Sequence, residues 1–457
     1  MNSSVASPPS TFISDHLSPQ LLAKVTWRLV PYLILLYFVA YLDRVNVGFA
    51  SLTMNKDLGI DPATYGQAAG LFFIGYFFAE VPSNLALEKF GARKWIARIM
   101  FTWGALSMAM AFVKGPWSYF IIRFCLGLAE AGFFPGVVLY LTYWFPARER
   151  AKVMALFYLG IPLANVFGAP LSGWILDATN GAGGIKGWQW LFLLEGVPAI
   201  ILTFTTLFFL TDQPAQASWL TDAERAEHVA VMDADRATRA KHGHMSLGAA
   251  LANPRVLVLA LVYFLIILGL YGLGFWMPQI IKRMGFNNTQ TGFLVMVPYG
   301  LAAISQVFWC RNSDRTGERR WHFAASCGLM GLGYAMTWLA PSPTIAFVGL
   351  IFGAVGIMCT MPVFWTMPAA FLSGTAAAGG IALINSIGNL SGYFGPAIMG
   401  WVANVTGNPS SGLLVLTSGA VIAAIIVLLM RRETVTQEPA AAMPGSVARN
   451  PITVTRV

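Results

Sequence analysis

Charged side chains are scarce in this chain of 457 residues, where they make up 11% of the composition. A soluble globular protein carries roughly 25% charged residues, so too few are present to cover a water-exposed surface. Hydrophobic residues make up 56%, and the mean hydropathy is +0.63. The composition excludes an ordinary soluble enzyme, a disordered chain, a collagen-like chain and a coiled coil, and it leaves a protein that crosses a membrane several times.

Cysteines are also few. The four cysteines lie in apolar runs without C-x-x-C spacing, which argues against a zinc ribbon and a disulfide framework. His242 and His244 are a weak candidate for a metal pair, so no metal and no cofactor are predicted. Residues 1–26 lack the apolar core of a signal peptide, so the first membrane helix is expected to target the chain.

Twelve apolar segments have about the 20 residues that an α-helix needs to cross a bilayer. They are long, lack a period of two and are rich in Leu, Ala, Gly and Phe, which favours helices over barrel strands. The predicted fold class is therefore an all-α polytopic membrane protein. The expected spans are 29–52, 66–87, 95–113, 118–143, 151–176, 190–210, 256–280, 292–310, 321–340, 344–370, 378–404 and 411–430.

The distribution of basic residues predicts the orientation. With both termini placed inside, the inner segments hold 22 of the 29 lysines and arginines, and the outer loops hold five. Because cytoplasmic loops carry an excess of Lys and Arg, both termini are expected in the cytoplasm, and the membrane is the inner one if the source is bacterial. The net charge of +9 is assigned to these loops and not to nucleic-acid binding.

The two halves of the chain repeat each other. Residues 88–95 (EKFGARKW) align with residues 314–321 (DRTGERRW) at an offset of 226. A second match has an offset of 227 and pairs Gly168, Gly173 and Trp174 with Gly395, Gly400 and Trp401. Duplicated halves predict two six-helix bundles related by an axis along the membrane normal, with a substrate site between them.

The repeat and the polar stretches set the expected domain boundaries. The longest polar stretch between spans contains Thr221 and Glu224 at capping-box spacing, so a charged helix is expected to about residue 240. The predicted order is a cytoplasmic tail 1–26, a first bundle 27–210, a cytoplasmic linker 211–255, a second bundle 256–431 and a tail 432–457.

Four ionisable residues lie well inside apolar spans of the first half: Asp43, Arg44, Arg123 and Glu130. Each costs roughly 2.5–3.5 kcal/mol at a helix centre, so a functional role is the leading hypothesis. The alternative is a neutralised ion cluster that only joins the first and fourth helices. Arg123 and Glu130 are about 10 Å apart along one helix face, too far for a direct bond, so a cation can meet the substrate while the acid binds a proton.

The second half offers neutral hydrogen-bonding groups in its spans. Asn385, Asn389 and Tyr393 recur every four residues on one helix face, and Trp365 lies between two prolines. They are read either as contacts between helices or as groups that recognise substrate hydroxyls. Tyr41 and Tyr76 are similar candidates in the first half. Glu80 and Glu195 lie near span ends, so interfacial placement or structural pairing is expected for them.

The repeated loop element, residues 88–95 and 314–321, resembles the loop signature of the major facilitator superfamily. The resemblance implies alternating access by two rocking halves. It also implies a charge cluster between neighbouring helices on the cytoplasmic side that is broken and remade as they move. The residues assigned to this gating cluster are Glu88, Arg93, Asp314, Arg315 and Arg319.

Segments 41–50, 123–136, 140–146 and 187–196 resemble the anion:cation symporter family within that superfamily, and the similarity runs from about residue 25 to 432. The resemblance implies that Arg44 binds the substrate carboxylate. Asp43 and Glu130 would be the protonatable pair, coupled by Arg123. Trp365 and Asn385 match substrate-contacting positions, and Tyr41 and Tyr76 complete the expected binding set. The branch of tartrate transporters is the most similar. Family members that transport sugar acids carry a glutamine in the fifth span, and its absence here favours a short dicarboxylate.

The sequence therefore predicts a secondary active transporter, not an enzyme, that imports a small organic anion with protons as a monomer in the lipid bilayer. The anion is expected to be a tartrate-like hydroxy-dicarboxylate or a sugar acid. The alternative is a proton-independent uniporter or exchanger for aromatic or other carboxylates. A membrane enzyme or sensor is disfavoured because the sequence shows no nucleophile–base pair and no signalling domain.

Overall fold

The computed structural model describes residues 16–240, 252–371 and 375–430, and the regular structure in these ranges is helical throughout. The candidate metal pair and both chain ends lie outside these ranges. The helices are α1 Pro19–Leu58, α2 Pro62–Phe90, α3 Ala92–Ala109, α4 Pro116–Glu130, α5 Phe133–Trp144, α6 Ala147–Phe157, α7 Gly160–Ala178, α8 Gly187–Phe209, α9 Asp222–Ala240, α10 Pro254–Lys282, α11 Asn288–Thr316, α12 Arg320–Leu339, α13 Pro343–Phe371, α14 Thr375–Thr406 and α15 Leu413–Leu429.

Ten helical segments of the described chain are long and apolar enough to cross a membrane. Two of them are double, because α4 continues into α5 and α6 continues into α7. The remaining two expected spans are α12 and α14, with 20 and 32 residues. Each of the twelve predicted spans thus corresponds to helical structure, and the predicted all-α membrane fold is confirmed.

The fourth span is broken in the middle. α4 ends at Glu130, and α5 begins at Phe133 after Gly132, whose φ of 86° is one that residues with a side chain rarely adopt. A side chain at Gly132 would also overlap Ser83 of α2. The break leaves Glu130 as the last residue of a helix that is buried in the membrane region, 1% exposed.

The linker helix α9 packs against the first bundle. Its capping box is formed as predicted, since the Thr221 backbone NH donates to the Glu224 carboxylate at 2.8 Å. Lys24 pairs with Glu224 at 2.7 Å, and the Ala147 backbone NH donates to Asp235 at 3.0 Å. We call the end of the molecule that carries α9 the linker end, and the opposite end, where α1 ends and α2 begins, the loop end.

The two bundles contact each other at the loop end through two equivalent pairs of helices, α7 with α11 and α2 with α14. An ideal Cβ on Gly173 of α7 would lie 3.2 Å from the Gly292 Cα of α11. An ideal Cβ on Gly400 of α14 would lie 3.1 Å from the Gly66 Cα of α2. Gly173 and Gly400 are the glycines that the sequence repeat aligns, so the predicted pseudo-symmetry relates the two contacts. We call these four glycines and their helices the loop-end interface.

Asp177 strengthens one of the two contacts. Its carboxylate accepts hydrogen bonds from the Asn288 side chain at 2.6 Å and from the backbone NH and hydroxyl of Thr289, both at 2.8 Å. These groups belong to the first turn of α11, where backbone NH groups have no partner within the helix and a negative charge is favourable. The carboxylate of the first bundle therefore binds the N-terminus of a helix in the second bundle.

Substitution of Gly173 by alanine is expected to open the loop-end interface. The new methyl group would overlap the Asn288 backbone carbonyl, and overpacking of this kind costs about 1–3 kcal/mol, which disfavours the closed arrangement roughly 5- to 150-fold. The distance between spin labels at Ala182→Cys and Phe286→Cys, which flank α7 and α11, should increase. Gly328→Ala is the matched control, because no atom lies within 4 Å of its added Cβ. An unchanged label distance in Gly173→Ala would contradict the close packing.

Candidate functional site between the two bundles

Arg44 lies in the middle of α1, between the two bundles, with 13% of its side chain exposed. One end of its guanidinium donates to the Glu130 carboxylate, and Nη1 donates to the Tyr271 hydroxyl of α10 at 3.4 Å. Tyr271 stands 227 residues after Arg44, which is the offset of the sequence repeat. Arg44 of the first bundle thus contacts Tyr271, which occupies the equivalent position in the second bundle.

Aromatic rings surround the face of this guanidinium. The Arg44 Cζ lies 5.8 Å from the ring centroid of Tyr41, 5.3 Å from that of Phe72 and 5.7 Å from that of Tyr76. Such cation–π contacts stabilise a cation in a site from which most water is excluded. Because the rings approach the guanidinium as a cation–π cage, an incoming carboxylate is best accommodated at its NH-bearing edge.

A narrow cavity lies beside Arg44 and is lined by both bundles. The first bundle supplies polar groups from α1 and α7, and the second supplies two phenols from α10 and α11. The lining residues are Tyr41, Arg44, Val45, Asn165, Leu270, Tyr271, Gly274, Phe275 and Tyr299. One cation among hydroxyl, amide and aromatic groups has the chemistry to bind a small hydroxylated carboxylate, and the bundles would have to move apart to admit one.

Glu130 has one strong partner and one free oxygen. Oε1 accepts from Arg44, whereas Oε2 is buried and has no hydrogen-bond partner among the described residues. Arg123, on the same helix, is 1% exposed and makes no direct bond to Glu130, as its spacing predicted. Glu130 therefore depends on Arg44 for its charge compensation.

Asp43 faces α3, away from the cavity. Its carboxylate accepts hydrogen bonds from Trp103 Nε1 at 2.6 Å, from the Asn46 amide at 3.0 Å and from the Ser107 hydroxyl. Three donors satisfy a carboxylate well and favour its charged form. The adjacent residues Asp43 and Arg44 thus point to different neighbours, as expected for consecutive residues of a helix.

Arg123 lies behind Phe72. Its Nη2 donates to the Ala69 carbonyl at 2.9 Å, and its Cζ is 5.0 Å from the Phe72 ring centroid. The Phe72 ring is therefore in contact with both buried arginines, since Arg44 also lies over it. No carboxylate lies within salt-bridge distance of Arg123 in the described part of the chain.

The residues expected to bind substrate divide into those close to Arg44 and those away from its cavity. Tyr41 lines the cavity, and Tyr76 contacts Arg44. Trp365 instead packs against Tyr263, 4.9 Å between ring centroids, and neither Trp365 nor Asn385 lines the cavity. Tyr271, Tyr299 and Asn165 do line it but were not assigned from the sequence. Adding the repeat offset to Arg44 would have found Tyr271.

The predicted gating residues lie at the linker end. Arg319 pairs with Asp314 at 2.7 Å and joins the end of α11 to the start of α12. In the first copy of the element, the acidic partner is Asp212, which accepts from the Arg93 backbone NH at 2.7 Å. Arg315 and Glu88 are exposed, and within the described ranges Glu88 forms no ion pair. Asp212, beyond the end of α8, is a partner that the motif did not indicate.

Comparison with known proteins identifies the family. Residues 33–305 and 259–455 match the family model described as Major Facilitator Superfamily. The chain belongs to this superfamily, and the resemblance found in the sequence is confirmed. The two helical bundles of this major facilitator agree with the two halves that the resemblance implied.

Two relatives and one solved structure are especially similar to this major facilitator. A protein of Agrobacterium vitis named "Putative tartrate transporter" is 52% identical over 401 residues, 88% of this chain and 89% of that protein. A quinolone resistance transporter of Acinetobacter baumannii is 44% identical, covering 86% and 91%. The fold matches a crystal structure of a bacterial homolog to the human lysosomal transporter Spinster, inward-facing and occupied, with a TM-score of 0.72, 16% identity and coverage of 90% and 97%.

Proposed function

We propose that this major facilitator is a secondary active transporter that imports a small organic anion, a tartrate-like hydroxy-dicarboxylate, together with protons by alternating access. The observation that carries the proposal is the Arg44–Glu130 ion pair at a cavity between the bundles. A cation that binds carboxylates is held there by an acid that can bind protons. The name of the Agrobacterium vitis relative supports tartrate as the probe of choice.

Coupling follows from competition for Arg44. A substrate carboxylate that binds the NH-bearing edge of the guanidinium displaces Glu130 from its counter-ion. A buried carboxylate without a counter-ion is costly, and a proton removes that cost. Anion binding and protonation of Glu130 therefore favour each other, which is the thermodynamic requirement for symport.

The other two buried charges maintain this arrangement. Three donors stabilise the charged form of Asp43, whereas its burial favours the protonated form, so Asp43 stays a candidate proton site beside Glu130. Arg123 lies near both acids without a direct bond to either. We assign to Arg123 the role of a fixed positive charge that compensates Asp43 and that also helps Glu130 to stay charged until the substrate arrives. Tyr271 and Tyr299 supply hydroxyl groups from the second bundle, so the substrate would join both halves of the transporter.

The conformation fits one step of alternating access. The bundles meet at the loop end, and we assign the linker end to the cytoplasm because its loops hold most of the basic residues. With that orientation, the loop-end contacts close the structure toward the outside, as an inward-facing state requires. The linker helix α9 would then move with the first bundle, to which it is bound.

Uptake into proteoliposomes tests the proposal. We expect accumulation of radiolabelled L-tartrate to rise when the outside is made acidic relative to the lumen, by about tenfold per pH unit for each proton moved. A protonophore should abolish the accumulation without abolishing exchange of labelled for unlabelled tartrate. Accumulation that is independent of the proton gradient would refute the coupling.

A second candidate function is proton-independent uniport or exchange of aromatic or other carboxylates. The aromatic lining of the cavity by Tyr41, Tyr271, Phe275 and Tyr299 favours it, and the quinolone resistance relative is consistent with it. The same vesicles separate the two candidates. Benzoate would inhibit tartrate uptake and would itself exchange without a gradient if the second candidate is right.

A further inference from the structure

Glu195 is a buried carboxyl group for which the proposed mechanism has no use. It lies in α8 and is 2% exposed, so the expected interfacial placement is wrong and the alternative of internal pairing holds. The Ser172 hydroxyl of α7 donates to Glu195 Oε1 at 2.7 Å. Oε2 is buried and has no hydrogen-bond partner among the described residues.

The charges around Glu195 do not balance if it is ionised. Three carboxyl groups are buried in the first bundle, those of Asp43, Glu130 and Glu195, but only two guanidinium groups accompany them, those of Arg44 and Arg123. Glu130 has Arg44, and Asp43 has three donors. Glu195 has one hydroxyl, which cannot offset the cost of a buried charge.

Asn46 connects Glu195 to Asp43. Its amide nitrogen donates to Asp43 at 3.0 Å, and its side chain also interacts with Glu195. Asn46 thus brings two buried carboxyl groups close together. Two carboxylates at such a site repel each other, so the pair is more favourable when one of them is protonated.

The partner of Glu195 belongs to the loop-end interface. Ser172 is next to Gly173, where α7 approaches α11 so closely that no side chain fits. Any opening of this contact that shifts α7 would also displace the hydroxyl group on which Glu195 depends. Water admitted by that opening would stabilise the charged form of the carboxyl group.

From this geometry we infer that Glu195 is a proton-binding site and that protonation of its carboxyl group favours closure of the loop-end interface. A proton from solution binds the Glu195 carboxylate when α7 packs against α11, and the same proton returns to solution when the contact opens. Acid therefore favours closure. The inference does not depend on the identity of the transported anion or on coupling through Glu130.

Few other charged groups can produce this pH dependence. The described elements packed against α8 are α1, α3 and α7, together with the short helical turn Met110–Phe112. Asp43 of α1 is the charged group that interacts with Glu195, whereas α3 and α7 present neutral groups to it. Asp177 lies at the same interface, but its protonation would weaken the bonds that it accepts from α11 and would favour opening, the opposite sign.

The test is the pH dependence of closure in the full-length protein without substrate. Spin labels at Ala182→Cys and Phe286→Cys report the α7–α11 distance in a background whose four native cysteines are replaced by serine. In the parent protein, the closed fraction should rise as the pH falls. Glu195→Gln should remain closed at high pH and lose this pH dependence, because glutamine is neutral at every pH.

Two further measurements keep the inference testable if Glu195→Gln folds poorly. Ser172→Ala retains the carboxyl group but removes a donor that stabilises its charged form, so the midpoint of closure should move to higher pH while the dependence persists. Infrared difference spectra of the parent protein between acid and alkaline pH should contain a protonated carboxylic C=O band that shifts in frequency in Ser172→Ala, because the carbonyl loses its hydrogen bond. A parent-like pH profile in Glu195→Gln, or an unshifted band in Ser172→Ala, would overturn the inference. Gradient-independent tartrate uptake would refute only the proposed transport coupling.

Discussion

Replacement of Arg44 by lysine is expected to abolish the thermal stabilisation that L-tartrate gives the purified transporter. The guanidinium holds Glu130 with one end and the Tyr271 hydroxyl with the other, and its planar fork can bind a carboxylate through two NH groups. Lysine offers a single ammonium group and cannot reproduce this geometry. Loss of one charge-assisted hydrogen bond costs about 1.5–3 kcal/mol, so tartrate should bind roughly 10- to 150-fold more weakly.

The matched control for this substitution is Arg283→Lys. Arg283 is exposed after α10, donates to the Gly407 carbonyl at 2.8 Å and does not line the cavity. Its lysine variant should retain the tartrate-dependent shift of the melting temperature. An undiminished shift in Arg44→Lys would show that the anion is not bound by the fork of Arg44.

Glu130→Gln is expected to remove the dependence of tartrate accumulation on the proton gradient. Glutamine has the size of a protonated glutamate but cannot take up or release a proton, so acid-driven accumulation should fall at least tenfold, to the level without a gradient. Parallel measurements of accumulation with and without the gradient isolate this effect from changes in protein amount.

Glu149→Gln provides the control for the loss of a carboxylate. Glu149 lies at the linker end in α6 and pairs with Lys152 at 3.3 Å, outside the buried charge cluster. Its variant should accumulate tartrate like the parent protein. Acid-driven accumulation that persists in Glu130→Gln would move the proton site to another residue and contradict the competition between Glu130 and the substrate for Arg44.

The membrane topology could be predicted because the bilayer imposes a length and an apolar composition on each helix. The break at Gly132 could not, since it depends on the approach of Ser83 from a neighbouring helix. This break ends α4 at Glu130 and sets the position of its carboxylate. Local patterns thus predicted the spans, whereas contacts between spans determine where one of them is interrupted.

The ion pair of the site is a similar case. The sequence indicated four buried charges, but it did not show that Glu130 would bind Arg44 and that Asp43 would turn to Trp103 and Ser107. These partners come from other helices, so helical spacing alone does not select them. Of the two expectations for Glu195, interfacial placement is wrong and internal pairing is right, because two turns of helix carry a residue about 11 Å from the helix start.

The contact between Arg44 and Tyr271 has a consequence for molecules that occupy the cavity. The repeat of the two halves makes Arg44 and Tyr271 equivalent positions, of which one carries a permanent positive charge and the other a phenol. The two ends of a symmetric diacid would therefore experience unlike surroundings, one salt-bridged and the other only hydrogen-bonded. Analogues in which one carboxyl group is replaced by an uncharged amide or ester should thus keep much of their affinity, and they offer a route to inhibitors.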